Sequence, residues 1–235
     1  MVEIPILSNL TAKGKKNPIH IAINSCGVKS WAEEHKKDLA EAIKQHISLL
    51  NEVIDYQLKY ENRVLSIGLS DTDLEIIPAM KDFFRKLIND ERIHKNQMRV
   101  FIIGQWFEMD MELTELFKDI MEKTKNYDNF FLNFCIRYDG QEEILGAIRL
   151  MIRKIMASKM KEEDITPALI KENLYSSYFP PPQLIIETSC TYSGLLLWDA
   201  KGAIIYSTDN DWLDFGKREY EKAIDFFTKT ACRKS

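Results

Sequence analysis

The first run of residues able to do chemistry is Asn24-Ser25-Cys26-Gly27-Val28-Lys29-Ser30. It leaves an apolar stretch and enters a helical pattern, so it sits where free N–H groups of a helix start can hold a phosphate. One glycine and no acid make it a weak phosphate loop, and a plain strand-to-helix turn is the expectation. Cys26 in that place is a candidate nucleophile, because a helix N-terminus favours the thiolate. It would need a base, and His20 is the nearest in sequence. Lys29, His35, Lys36 and Lys37 supply cations just downstream, although such a cluster is ordinarily a solvated helix start. Asp71-Thr72-Asp73-Leu74-Glu75 could gather a metal. It reads better as an acidic helix N-terminus capped by Thr72 or Asp73. Glu108, Asp110 and Glu112 read the same way.

The elements that must position these residues belong to an ordinary globular chain. It has 235 residues, 45% hydrophobic and 29% charged, which excludes a disordered or collagen-like chain and favours one large domain. A net charge of -4 gives no reason to expect nucleic acid as partner. Four separated cysteines, Cys26, Cys135, Cys190 and Cys232, suggest reduced thiols in a cytoplasmic protein. The opening MVEIPILSNLTAKGKK lacks a signal-peptide core, and no run of apolar residues is long enough to cross a bilayer.

Residues 1–17 read as a flexible arm and 18–230 as the domain. Strands are expected at 19–23, 64–69, 98–103, 130–136, 183–186 and 203–206. Helical periodicity fills 30–60, 74–95, 110–126, 140–160, 165–176 and 217–230. The stripe Ile76, Ile77, Met80, Phe83, Phe84, Leu87 and Ile88 lies on one face, as do Ile144, Ala147, Ile148, Met151, Ile152 and Ile155. The strands are continuous apolar runs separated by helices. That order needs crossover connections, and so an α/β domain with a mostly parallel central sheet flanked by helices.

Several segments together resemble one family. Pro18-Ile19-His20-Ile21-Ala22-Ile23 with Gly27 and Trp31-Ala32 is similar to HxAIIMDGNGRWA. Leu132 to Ile144 is similar to LNIAxNYGGRxEI, Ile102-Ile103-Gly104 to IIGD, and Leu195 to Trp198 to FLLWQ. Tyr206, Thr208-Asp209, Trp212 and Asp214-Phe215 are similar to YFTDxLWPDF. Collinear over residues 18–228, these resemble the cis-prenyltransferases, the undecaprenyl diphosphate synthase family.

The resemblance implies that family's fold, an allylic diphosphate substrate, magnesium, and an apolar tunnel lined by the Ile76–Ile88 helix, a stripe that by itself reads as plain core packing. It also places functional positions on residues that cannot fill them. The metal- and phosphate-holding aspartate of DGNGR falls on Cys26, and its Asn, Gly and Arg on Val28, Lys29 and Ser30. A phosphate-binding arginine and the histidine after it fall on Leu39 and Ile43. The motif RTGGExRxSN becomes Glu187 to Gly194 with no arginine, and the metal-binding glutamate of AELYF falls on Ile204. Magnesium wants hard oxygen ligands, which a thiol and an isoleucine lack. One lost electrostatic stabiliser typically costs roughly 3 kcal/mol in catalysis, and here several are replaced.

The expectation is therefore a diverged homologue, with Cys26, Glu187 and Ile204 at degenerate catalytic positions and no resident metal. Gly27, Lys29, Trp31 and Lys36 are the remaining candidates for substrate contact. The function expected is a non-catalytic, accessory subunit that pairs as a homo- or heterodimer with a cis-prenyltransferase-fold chain in polyprenyl diphosphate synthesis. Its tail, Ala231 to Ser235, lacks the RxG ending of such subunits. The alternative is a repurposed enzyme, an atypical prenyl transferase or terpene synthase using magnesium, with Lys29, Lys36, Lys37 and Asp139 around an isoprenoid diphosphate. A lipid-binding module is a third reading. An isoprenoid lipid in the tunnel and peripheral contact with a membrane are compatible with all three.

Overall fold

The computed structural model describes residues 17–69 and 75–232. The elements run β1 (His20–Asn24), α1 (Val28–Glu34), α2 (Leu39–Lys59), β2 (Val64–Leu69), α3 (Ile77–Leu87), α4 (Glu91–Lys95), β3 (Met98–Gly104) and α5 (Met111–Thr124). They continue with β4 (Phe130–Ile136), α6 (Gly140–Met156), α7 (Pro167–Glu172), β5 (Leu184–Glu187), β6 (Ile204–Ser207) and α8 (Lys217–Ala231). The arm expected at 1–17 lies outside the described residues but for Asn17, whose amide donates to Tyr60 O. The cap expected at Thr72 or Asp73 also lies outside them.

The six strands form one sheet, in the order β3-β4-β2-β1-β5-β6. Every pair is parallel. Strands β1, β2, β4 and β5 are buried along their whole length, as apolar runs covered on both faces must be. One face carries the main core beneath α1 to α5 and α8. The other carries a smaller cluster, Ala22, Val64, Ile103, Phe131, Ile185 and Phe179 among them, roofed by Leu195 and Leu196. From β1 the chain builds outward through β2, β3 and β4, then returns across β1 to lay down β5. The strand order therefore reverses between β1 and β5, where open α/β sheets keep their ligands.

Two expected helices are each broken in two. Between Ala32 and Leu39 the sequence is Glu-Glu-His-Lys-Lys-Asp, with no apolar side chain to pack. The helix stops at Glu34, Lys36 turns with φ +52°, and Asp38 restarts it by accepting from Ala40 N. The same happens at Asp90, which accepts from Arg92 N and starts α4. The helix expected over 165–176 ends at Glu172 and is followed by a 3-10 turn, Tyr175–Tyr178. On α6 the expected apolar stripe divides: Ala147 and Met151 are buried, whereas Ile148 and Ile152 face outward with Leu145 and Met156. The stripe is wider than the strip of core available to it.

Candidate functional site

At the point where the sheet reverses, β1 ends in Asn24 and β5 in Glu187. Glu187 has no exposed surface. Its Oε2 accepts from Asn24 Nδ2 at 3.1 Å, and its Oε1 accepts from Ser193 N at 3.0 Å and Ser193 Oγ at 2.8 Å. Both oxygens act only as acceptors, the pattern of an ionised carboxylate. Asn24 shares its second amide hydrogen with Cys26 Sγ at 3.3 Å, while its carbonyl accepts from Thr188 Oγ1. One buried side chain thus ties the end of β1 to both ends of the loop that follows β5.

The rest of the mouth is shut by close packing. Ser25 N and Oγ both donate to Gly68 O on β2, at 3.0 and 2.7 Å. A methyl on Gly68 would come within 3.3 Å of Leu195 Cδ1 and 3.4 Å of Asn24 Oδ1, so Leu195 roofs the strand end. Gly27, with φ +93°, caps α1 from the left-handed region, where a β-carbon would be strained.

The other candidate residues are not gathered here. Lys29 and Lys36 are exposed. The Trp31 indole donates to Asp214 Oδ2 at 2.9 Å and stacks on the His35 ring at 4.5 Å, pinning α1 to the Trp212–Asp214 turn. Ile204 opens β6, level with Leu184 and three residues short of Glu187, and is a core side chain. Asp139 caps α6 by accepting from Gln141 N and Glu142 N.

No pair forms between Cys26 and His20. His20 is wholly buried; its Nδ1–H donates to Pro180 O at 2.6 Å, so Nε2 accepts from Ser66 Oγ at 2.9 Å, and Ser66 accepts in turn from Asn133 Nδ2. Burial lowers the His20 pKa to about 3, and the ring is a neutral core group. His46, on the amphipathic α2, is buried and accepts from the Trp212 indole at 2.7 Å; burial lowers its pKa to about 4. His94 is half-buried between Tyr127 Oη and Ile88 O.

Two further features are present, of which only the second, on the Ile76–Ile88 helix, had a signal in the sequence. The first is a polar chain beside the loop. Tyr138 Oη donates to Glu143 Oε2 at 2.5 Å, Glu143 Oε1 accepts from Ser176 N, and Lys171 Nζ donates to Ser176 O and to Asp199. Burial raises the Glu143 pKa and lowers that of Lys171. Its members lie far apart in the chain and lack any common spacing. The second is a groove of about 330 Å³ between α2 and α3, lined by Ile43, Ile47, Phe83 and Leu87 with Lys44 and Lys86 at its rim. Of the remaining Ile76–Ile88 stripe, Ile76, Met80, Phe84 and Ile88 are closed core, whereas Ile77 is half-buried.

Magnesium, implied by the sequence resemblance, does not suit the residues present. Cys26 offers sulfur, and both Glu187 oxygens are taken by three donors. Among the described residues no three His, Cys, Asp or Glu side chains converge as a metal site requires.

The chain matches the family model described as "Putative undecaprenyl diphosphate synthase" over residues 26–235. A tritrans,polycis-undecaprenyl-diphosphate synthase (geranylgeranyl-diphosphate specific) of Thermoplasma volcanium is 30% identical over 88% of this chain and 84% of its own length. An isoprenyl transferase of Prochlorococcus marinus is 31% identical over 93% of this chain and 83% of its own. The crystal structure of lavandulyl diphosphate synthase from Lavandula x intermedia, in complex with dimethylallyl diphosphate, superposes with a TM-score of 0.83. It covers 91% of this chain and 96% of that one at 19% identity.

Proposed function

The chain belongs to the undecaprenyl diphosphate synthase family, the cis-prenyltransferases, and from that premise we propose that it is a non-catalytic, accessory subunit. It pairs with an active cis-prenyltransferase and supports polyprenyl diphosphate synthesis. The observation that carries this reading is Glu187. Where the resemblance calls for an arginine to grip a diphosphate, a buried carboxylate is bonded to the chain's own donors. An incoming diphosphate would meet negative charge in a desolvated place, a repulsion worth several kcal/mol.

The partner reading is supported by α6. Leu145, Ile148, Ile152 and Met156 are 41%, 39%, 49% and 81% exposed and form one ridge. Glu142 stands at its start, and Arg149 and Arg153 stand along it. Antiparallel pairing with an equivalent helix would bury the ridge and bring acidic and basic ends together. Nearby Tyr178, 56% exposed, stacks on Phe101 over the thinly covered face of the sheet. Apolar surface of this kind marks an interaction site. No described helix is long and apolar enough to cross a membrane; the complex is proposed to work in the cytoplasm, touching the membrane only peripherally.

The test is co-expression with a homologue from the same genome that keeps DGNGR and RxGGE. The two chains co-purify, and the complex turns over labelled allylic diphosphate faster than the homologue alone. Separate elution and unchanged turnover would abandon the reading. The second reading, a repurposed enzyme on an isoprenoid diphosphate, is favoured by the apolar walls of the groove between α2 and α3, where Lys44 and Lys86 stand among Asp82 and Asp90. It requires product from the purified chain alone.

A further inference from the structure

We propose that Glu187 is the resident anion of an anion pocket: the chain's own carboxylate fills a set of converging donors, latches the loop over residues 188–194 shut, and bars an outside oxyanion from the same place. The donors are Asn24 Nδ2, Ser193 N and Ser193 Oγ. They come from two separate segments and meet on one side chain with no exposed surface. A carboxylate with neutral donors on both oxygens is held in the way a protein holds a bound anion, except that here the anion is covalently part of the chain.

The latch has four further anchors. Thr188 Oγ1 donates to Asn24 O at the loop's start, and Ser189 Oγ donates to Thr191 O within it. At its far end Gly194 O presses on Gly140, where a β-carbon would lie only 2.5 Å from it, so the loop cannot shift toward α6. Tyr192 Oη donates to Leu195 O, and burial with the nearby Glu187 charge raises the Tyr192 pKa. The hydroxyls of Thr188, Ser189, Tyr192 and Ser193 bond to the latch, to the loop or to its exit at Leu195. The carboxylate therefore sets whether this segment is open or shut, and its significance rests on the accessory-subunit reading: a chain that keeps this pocket filled cannot compete with its partner for diphosphate.

The experiment is chemical rescue on the full chain. Glu187→Ala leaves a cavity the size of a small carboxylate, lined by three unpaired donors. Amide hydrogen exchange over 188–194 should quicken by about tenfold or more, the worth of a hydrogen bond to a charged group. Sodium acetate, against sodium chloride at equal ionic strength, should restore much of the protection in Glu187→Ala. It should leave the wild type and Glu187→Gln unchanged. A folded Glu187→Ala that gains nothing from acetate beyond chloride, or whose loop exchanges no faster than wild type, overturns the proposal. Should Glu187→Ala not fold, Ser193→Ala removes one donor and keeps the carboxylate. Its loop should then exchange faster than wild type while the strands do not, and equal exchange overturns the proposal. All readouts use the chain alone, so the latch can fail while co-purification succeeds, and the reverse.

Discussion

Lys171 on α7 donates to Asp199 in the turn after β5, across 28 positions of sequence, and brings a half-buried cation against a buried carboxylate. Asp199 is 4% exposed. Removing the cation alone leaves that carboxylate uncompensated, so Lys171→Ala should lower the unfolding free energy by about 3 kcal/mol. Lys171→Met with Asp199→Leu should cost less than Lys171→Ala alone. Urea denaturation of the three proteins decides it.

Acid should weaken the fold through His20 and His46. Burial lowers their pKa values to about 3 and about 4, against 6.5 in the unfolded chain. Below pH 6.5 the unfolded state binds protons that the folded state refuses. The stability held above pH 6.5 is therefore lost as pH falls toward the folded values, approaching about 1.4 kcal/mol per pH unit for each ring. Glu143, raised by burial, titrates in the opposite sense. His46→Gln isolates the effect, since it should remove about one proton's worth of slope between pH 6.5 and 5.

The ridge on α6 separates folding from association. Ile148→Lys and Ile152→Lys alter exposed side chains, so stability should stay within about 0.5 kcal/mol of wild type. Together they should abolish recovery of the catalytic homologue in a pull-down. Full recovery would remove α6 from the interface.

Gly140 should tolerate no side chain. A methyl there would overlap Leu197 Cβ and lie 2.5 Å from Gly194 O. Gly140→Ala should cost about 1–3 kcal/mol as overpacking, although alanine is the better helix former. Gly146, also on α6, meets nothing within 4 Å, and Gly146→Ala should leave stability equal or higher. Thermal melts of the pair compare the two effects.

The sheet was legible because β1, β2 and β4 are unbroken apolar runs, a pattern that a strand buried on both faces produces. Helix breaks were less so. The signals at Asp38 and Asp90 were present, each a capping residue after a polar gap, but continuous apolar periodicity on either side masked them. At the site, the expectation that Cys26, Glu187 and Ile204 stand where other residue types belong came only from the resemblance to the family's motifs, not from the chain by itself. That Glu187 is satisfied by Asn24 and Ser193 could not be read at all, because the partners converge only once β1 and β5 lie side by side. His46 is a like case: a polar residue on the amphipathic α2 turns inward because the Trp212 indole donates to it from 166 positions away in the chain.

The order β3-β4-β2-β1-β5-β6 also governs assembly in time. No strand here can pair with its neighbour through a tight hairpin, since every connection is a crossover. During synthesis, one flank of β1 stays bare until Leu184–Glu187 has left the ribosome, with most of the chain already made. A nascent chain therefore carries an open, apolar strand edge for most of its birth, and slow folding is the expected consequence of that topology.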